Sequence, residues 1–236
     1  MGKKYKFIET KREYPKDCKQ AFISNLISQI LGVEPEKYKH PHFITKATQE
    51  FHHEYYDVFL IYLKILSGDL NLHLSKRTSP LSCDTYFPSP WNFIFEFDEV
   101  QHFSSYKGLL LQNYPEAPYG FEIDRYKFLC STLKDRADKY RQSKEATEFP
   151  FKTGRTRQRA FLDSFKDVLP HLNSIDLNPT IRIDEFEVGD ILDDFTENIE
   201  DSKAKLIEIL IDHFQQANMD TQIELINRSV KFDNPL

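Results

Sequence analysis

Residues 92–98, NFIFEFD, alternate with a period of two: Phe93, Phe95 and Phe97 on one side, Asn92, Ile94, Glu96 and Asp98 on the other. Such alternation reads as a β-strand, and it narrows what the rest of the chain can be. The aromatic face has to be covered by other elements. The two acids need partners or water, because burying ionised carboxylates uncompensated is costly. With 236 residues, 40% of them hydrophobic and 14% aromatic, the chain can bury a sizeable core around such a strand. Only 7 glycines stand against 20 Phe and 12 Tyr. No GxGxxG, no GxxxxGK followed by Ser or Thr, and no CxxC occurs, so Rossmann, P-loop and structural-zinc sites lack their signatures. The three cysteines (Cys18, Cys83, Cys130) are scattered and odd in number, as in a reducing compartment.

Helical periodicity appears on both sides of this strand. Residues 17–31 place Ala21, Phe22, Leu26, Ile27, Ile30 and Leu31 at helical spacing, with Gly32 as the stop. Residues 46–66 read as one helix with Phe51, Tyr55, Val58, Phe59, Tyr62 and Leu66 in a stripe and Glu50, Glu54 and Asp57 beside it. Further helices are expected over about 124–143 and 157–168, with a short extended segment at 119–123 and another strand at 180–188. From Asp184 to Asp201 nine acidic residues crowd together, and amphipathic helices follow from about 202 to 217 and on to 230. The expected architecture is α/β, a mixed central sheet flanked by helices over 1–182, then an acidic helical extension over 183–236. The N-terminus is basic without a signal peptide's apolar run, and no apolar stretch approaches a membrane span. A cytoplasmic, non-membrane protein is the expectation.

Two acids at i and i+2 of a strand point the same way, and a divalent cation relieves their mutual repulsion. Mg²⁺ takes oxygen ligands and keeps positions for water and phosphate, with Mn²⁺ as its substitute. Asp84, twelve residues before Glu96, supplies a third oxygen, an arrangement suited to phosphodiester cleavage. Asp84, the gap, and the segment FEFDEVQHF resemble the PD-(D/E)XK nuclease superfamily, near the very-short-patch repair endonucleases with their IExDxxQH segment. The sharp part of the likeness is residues 83–102, within a broader match over 45–182. It implies a restriction-endonuclease-like fold, Mg²⁺-dependent hydrolysis of DNA, Asp84 and Glu96 as metal-binding acids, and Asp98 where many members carry lysine. Gln101, His102 or Lys107 would then compensate, or the register shifts to Glu99-Val-Gln101 through a bulge at Asp98–Glu99. Some relatives add a glutamate from the preceding helix, for which Glu50 and Glu54 are the candidates. A homodimer follows only by analogy with enzymes that cut both strands.

A basic stretch runs from Arg125 through Arg141 to Lys144, and then Arg155, Arg157 and Arg159 open the next helix. Basic residues interleaved with Tyr126, Tyr140 and Phe149 suit nucleic-acid backbone contact, with Lys107, Arg141, Arg155, Arg157 and Arg159 as the candidates. Asp135, Asp138, Glu145 and Glu148 suit a solvated helix with ion pairs equally well. The acids at 84, 96 and 98 have a plain alternative too, as surface residues of a half-exposed strand. His40, His42 and the His52-His53 pair read as incidental, Cys130 as core, and the acidic 184–201 run as a solvated face. The leading expectation is therefore a metal-dependent endodeoxyribonuclease. The alternative is a nucleic-acid-binding or protein-interaction module that keeps the fold without the chemistry, as a missing lysine would imply.

Overall fold

A computed structural model describes residue 5 and residues 7–11, 18–194 and 198–232. In chain order the elements are α1 (Cys18–Leu31), α2 (Gln49–His52), α3 (Tyr56–Ile65), α4 (Leu70–Ser75), β1 (Thr85–Phe87), β2 (Phe93–Asp98), α5 (Ser105–Leu111), α6 (Ile123–Ala137), α7 (Gly154–Val168), β3 (Asn178–Asp184), α8 (Gly189–Asp194), α9 (Ile199–Gln216) and α10 (Asp220–Phe232). The chain is thus mixed α/β, with a three-stranded mixed sheet flanked by helices.

The sheet has the order β1-β2-β3. β1 runs antiparallel to β2, Thr85 opposite Phe95 and Phe87 opposite Phe93. β3 runs parallel to β2, Phe95 opposite Ile181 and Glu96 opposite Arg182. Parallel neighbours need a long crossover, and α5, α6 and α7 occupy it. The pleat then sorts the central strand. Phe93, Phe95 and Phe97 join Ile181 and Ile183 in a core with Ile23, Ile27, Leu206, Leu210 and Phe214, so α1 and α9 cover that face. Ile94, on the opposite face, packs with Phe59, Tyr62, Phe161 and Phe165 of α3 and α7. Every residue of β2 is buried, including Glu96 and Asp98 at 1% exposure each, so these acids are not surface residues of a half-exposed strand.

Several expected elements change shape. The helix expected over 46–66 is broken in two. Thr48 caps the first turn by accepting the Phe51 N–H at 3.3 Å. His52 is drawn into the core, its Nδ1 accepting the Thr48 N–H at 3.0 Å and its Nε2 meeting the His42 carbonyl at 2.8 Å. Glu50 therefore sits on α2 and Glu54 in the break, not in one line with Asp57. α6 stops at Ala137, short of 143, so Lys139, Arg141 and Lys144 stand on the turns that follow. The 119–123 segment contributes a single parallel bridge, Gly120 to Ile181. A side chain there would come within 2.5 Å of the Thr180 carbonyl, which is why glycine fits. β3 ends at Asp184, whose carboxylate accepts the Phe186 and Glu187 N–H groups at 3.0 and 3.1 Å and turns the chain. The boundary expected near 182 thus falls inside β3, and Leu206, Leu210, Phe214, Met219 and Ile226 of the acidic extension lie in the same buried cluster as the sheet. Glu197, one of the acids of that run, is outside the described residues. No helix among the described residues is long and apolar enough to cross a membrane.

Candidate active site

The polar positions of β2 and β3 meet one stripe of α7. Asp163, Lys166 and Asp167 are spaced i, i+3 and i+4, so they share a helix face, and that face lies over the sheet. The Thr180 hydroxyl donates to the Lys166 carbonyl at 2.7 Å and pins α7 to β3. Between helix and sheet the charged side chains interlock. Lys166 Nζ donates to Glu96 Oε2 at 2.6 Å and stands 3.7 Å from Asp163 Oδ1. Arg182 Nη1 reaches both oxygens of Asp98 at 2.9 Å, and its Nε donates to Asp167. Asp167 also receives Lys107 Nζ at 2.6 Å and the Tyr114 hydroxyl at 2.7 Å.

Asp84 enters from the start of β1, beside Glu96. Its own N–H donates to Glu96 Oε1 at 3.0 Å, while its Oδ2 accepts the Phe97 N–H at 3.0 Å. Asp84 and Glu96 are therefore neighbours, Asp84 exposed and Glu96 buried. Asp98 has a different setting. Besides Arg182 it accepts the Tyr126 hydroxyl at 2.9 Å and faces His102 Nδ1 at 3.1 Å. His102 Nδ1 also meets Asp163 Oδ2 at 3.0 Å, so one ring N–H is shared by two carboxylates. Gln101 Nε2 donates to Glu99 Oε2 at 3.0 Å, and both follow the end of β2. The ladder irregularity of β2 lies between Phe93 and Phe95, not at Asp98–Glu99. Glu50 is exposed on α2, and Glu54 accepts a hydrogen bond from Asn173 at 3.2 Å; neither joins the Asp84–Glu96 pair.

Burial and pairing set the charges of this layer. Burial pushes Glu96 up to about 7, against the pull of Lys166 and with the help of Asp84. Burial opposes the Lys166 charge too, but Glu96 and Asp163 outweigh it and hold the ammonium protonated. Burial likewise disfavours a charged His102, and again the carboxylates of Asp163 and Asp98 win, raising its pKa. Asp163 is held well below the usual carboxylate range, chiefly by His102 against the cost of burial.

Above this layer opens a cavity of about 570 Å³, with His102, Asp163 and Lys166 in its lining. Lys76, Arg77, Arg155 and Arg159 stand around it as well. Arg155, Arg159, Asp163 and Lys166 form one line along α7, from solvent inward. Lys76 is neutralised by Glu148 at 2.5 Å. Arg159 donates to the Gln101 carbonyl at 3.2 Å and lies 5.1 Å from the Tyr140 ring centre. Arg77 is exposed and makes no ion pair or hydrogen bond among the described residues.

Two expected phosphate contacts point elsewhere. Lys107 is 2% exposed and its ammonium is spent on Asp167, so it cannot reach a surface phosphate. Arg157 turns inward, donating to the Leu66 carbonyl at 2.7 Å and stacking on Tyr106 at 4.2 Å. Arg141 stacks on Tyr140 at 5.3 Å, on the turn beyond α6. The sequence alone does not single out Lys166, Asp163 or Arg182. The available signal was an arginine flanked by two isoleucines in β3, and a lysine and two aspartates interspersed among the inward apolar positions of α7.

The donor set for a cation is small. Among the described residues no group of three or more His, Cys, Asp or Glu side chains is gathered closely enough to hold a metal ion. Asp84 and Glu96 are two adjacent carboxylates, one of them exposed. That fits Mg²⁺, which is commonly held by one or two carboxylates and completed by water and substrate phosphate; it does not fit an all-protein cage. Comparison with family models, curated proteins and solved structures gives no match.

Proposed function

We propose that the chain is a divalent-metal-dependent phosphodiesterase acting on nucleic acid, DNA in the first instance. The observation that carries this reading is the Lys166 ammonium on the lining of a cavity flanked by arginines, 2.6 Å from Glu96, the carboxylate that accepts the Asp84 N–H. The strand carries aspartate where the resembling nucleases carry lysine, and α7 supplies a lysine from across the layer instead. Asp84 and Glu96 would hold Mg²⁺, which when bound polarises the phosphate and activates water. Lys166 then stabilises charge that builds on the phosphate oxygens, as a fixed cation in a desolvated site does. His102, oriented through Nδ1 by Asp98 and Asp163, has no partner for Nε2 among the described residues and as an imidazolium donates a proton to the leaving oxygen. Arg77, Arg155 and Arg159 contact the phosphates on either side. Asp98, saturated by Arg182, Tyr126 and His102, acts as a positioning residue.

The test is cleavage of supercoiled plasmid, short duplexes and single strands with Mg²⁺ or Mn²⁺ against EDTA, in wild type and in Asp84→Ala, Glu96→Ala and Lys166→Met. Metal-dependent nicking lost in all three is the expected result. Nicking that survives Lys166→Met rejects the assigned lysine. A rise in melting temperature with Mg²⁺, abolished in Asp84→Ala, gives a readout independent of turnover. A second reading, a binding module without chemistry, is favoured by Asp98, which pairs with Arg182 at the strand position where the resembling nucleases carry lysine, and predicts salt-sensitive binding with no cleavage.

A further inference from the structure

The cationic cavity has a neighbour of opposite character. Between residues 44–45 and 79–80 runs a short ladder: Ile44 bridges Pro80, the Thr45 N–H donates to the Ser79 carbonyl at 2.9 Å, and the two hydroxyls meet at 2.9 Å. On its far side lies a second cavity of about 380 Å³, and Ser79 and Pro80 line both. Its wall is formed by Tyr38, His40, Pro41, Phe43 and Ile44, with Lys39 as the one charged side chain among the described residues. The Tyr38 and His40 rings are parallel within 7°. Tyr38 is held edge-on by Phe43 at 4.8 Å and leans on Tyr86 at 4.9 Å, so this aromatic wall is fixed before any ligand arrives. Burial, with His42 adding to it, keeps the His40 ring uncharged at neutral pH.

A ligand that spans both cavities must be anionic at one point and flat and apolar at the next. A nucleic-acid strand has that alternation, phosphate then base. A base held in a duplex stack cannot present its face to a protein ring, whereas an unpaired or extruded base can. We propose that the Tyr38–His40 cavity receives an unpaired nucleobase from the strand whose phosphate occupies the cationic cavity. This rests on the phosphodiesterase reading and narrows it: the substrate is single-stranded or locally unpaired nucleic acid.

The experiment is fluorescence anisotropy in EDTA, with the full chain and three probes: a labelled single strand, the same strand with an abasic position walked along it, and a blunt duplex. Wild type is expected to bind the single strand more tightly than the duplex. Tyr38→Leu and His40→Ala should each weaken single-strand binding by about 5- to 150-fold, the range for losing one base–aromatic stack. The abasic position that costs wild type affinity should cost these variants nothing more. His40→Ala keeps the question decidable if Tyr38→Leu fails to fold. Should both variants hold the intact strand as wild type does while Arg77→Ala weakens it, the base cavity falls and the cationic cleft stands. Should wild type bind none of the probes, both fall.

Discussion

Glu96 is a buried carboxyl whose ionisation the fold resists, and that makes it a measurable contribution to stability. Raising it from the ordinary 4.5 to about 7, at about 1.4 kcal/mol per pH unit, makes its charge cost about 3 kcal/mol in the folded chain. Between these two values the folded chain holds a proton that the unfolded chain has released, so stability falls as pH rises through that window and levels off above it. Asp184, pushed up to about 6 chiefly by burial, contributes with the same sign, and so do His102 and His213, whose raised pKa values favour the low-pH fold. The Glu96→Gln variant isolates the first contribution. It keeps the shape, keeps an acceptor for Lys166, and cannot titrate. Urea unfolding of both proteins in EDTA, at intervals from pH 4.5 to 8.5, should show the variant gaining about 3 kcal/mol on wild type over that range. The offset at any one pH depends on what Lys166 does without its partner; the drift with pH does not. A difference that stays flat would refute the reasoning, because it would mean that Lys166 already holds Glu96 ionised at the pH of an ordinary carboxyl.

Arg182→Met should cost about 3–5 kcal/mol, since it takes away the buried guanidinium that Asp98 and Asp167 share and leaves their two charges to His102 and Lys107; a smaller loss in denaturant melts would mean that water enters the layer. Phe214→Ala, which removes a ring packed between Trp91 and Phe93, should cost about 3–5 kcal/mol, and a near-neutral result would detach α9 from the core. Arg77→Ala and Arg155→Ala should each lower the salt slope of DNA binding by about one, whereas Arg157→Ala, with its guanidinium on Tyr106, should leave the slope unchanged and lower the melting temperature. His102→Gln should remove a limb of the pH profile of cleavage while leaving Mg²⁺-induced stabilisation intact.

The local part of the site was legible and the long-range part was not. Asp84 and Glu96 are twelve residues apart across an antiparallel pair, a separation that one strand, one turn and one strand dictate. Period-two alternation put Glu96 and Asp98 on one face, and it could not tell whether that face was wet. The deciding partners come from α7 and β3, and Lys166 reaches Glu96 across 70 positions of sequence. Spacing says nothing across such a distance, because a crossover of several helices can bring any face back to the sheet. The 46–66 stripe misled for a related reason. Its periodicity was sound, but hydrogen bonds of His52 to Thr48 and His42 compete with helix continuation and are invisible to a count of apolar positions. The C-terminal extension looked detachable although its 202–217 helix reads as amphipathic, because periodicity shows that Leu206, Leu210 and Phe214 share a face without showing that the face covers the sheet.

The parallel pairing of β2 with β3 also fixes when this site comes into being. Its contacts join residues far apart in sequence, Phe95 with Ile181 for one, and pairings of that kind form late because the intervening loop must be ordered before they are rewarded. Asp84 and Glu96 are synthesised early and stay apart from Lys166 and Arg182 until the crossover closes. A nascent chain therefore carries two acids without their cations. The charged layer is completed only with the fold, so a chain cut within the crossover should lose cooperative unfolding together with the pairing of Glu96 to Lys166.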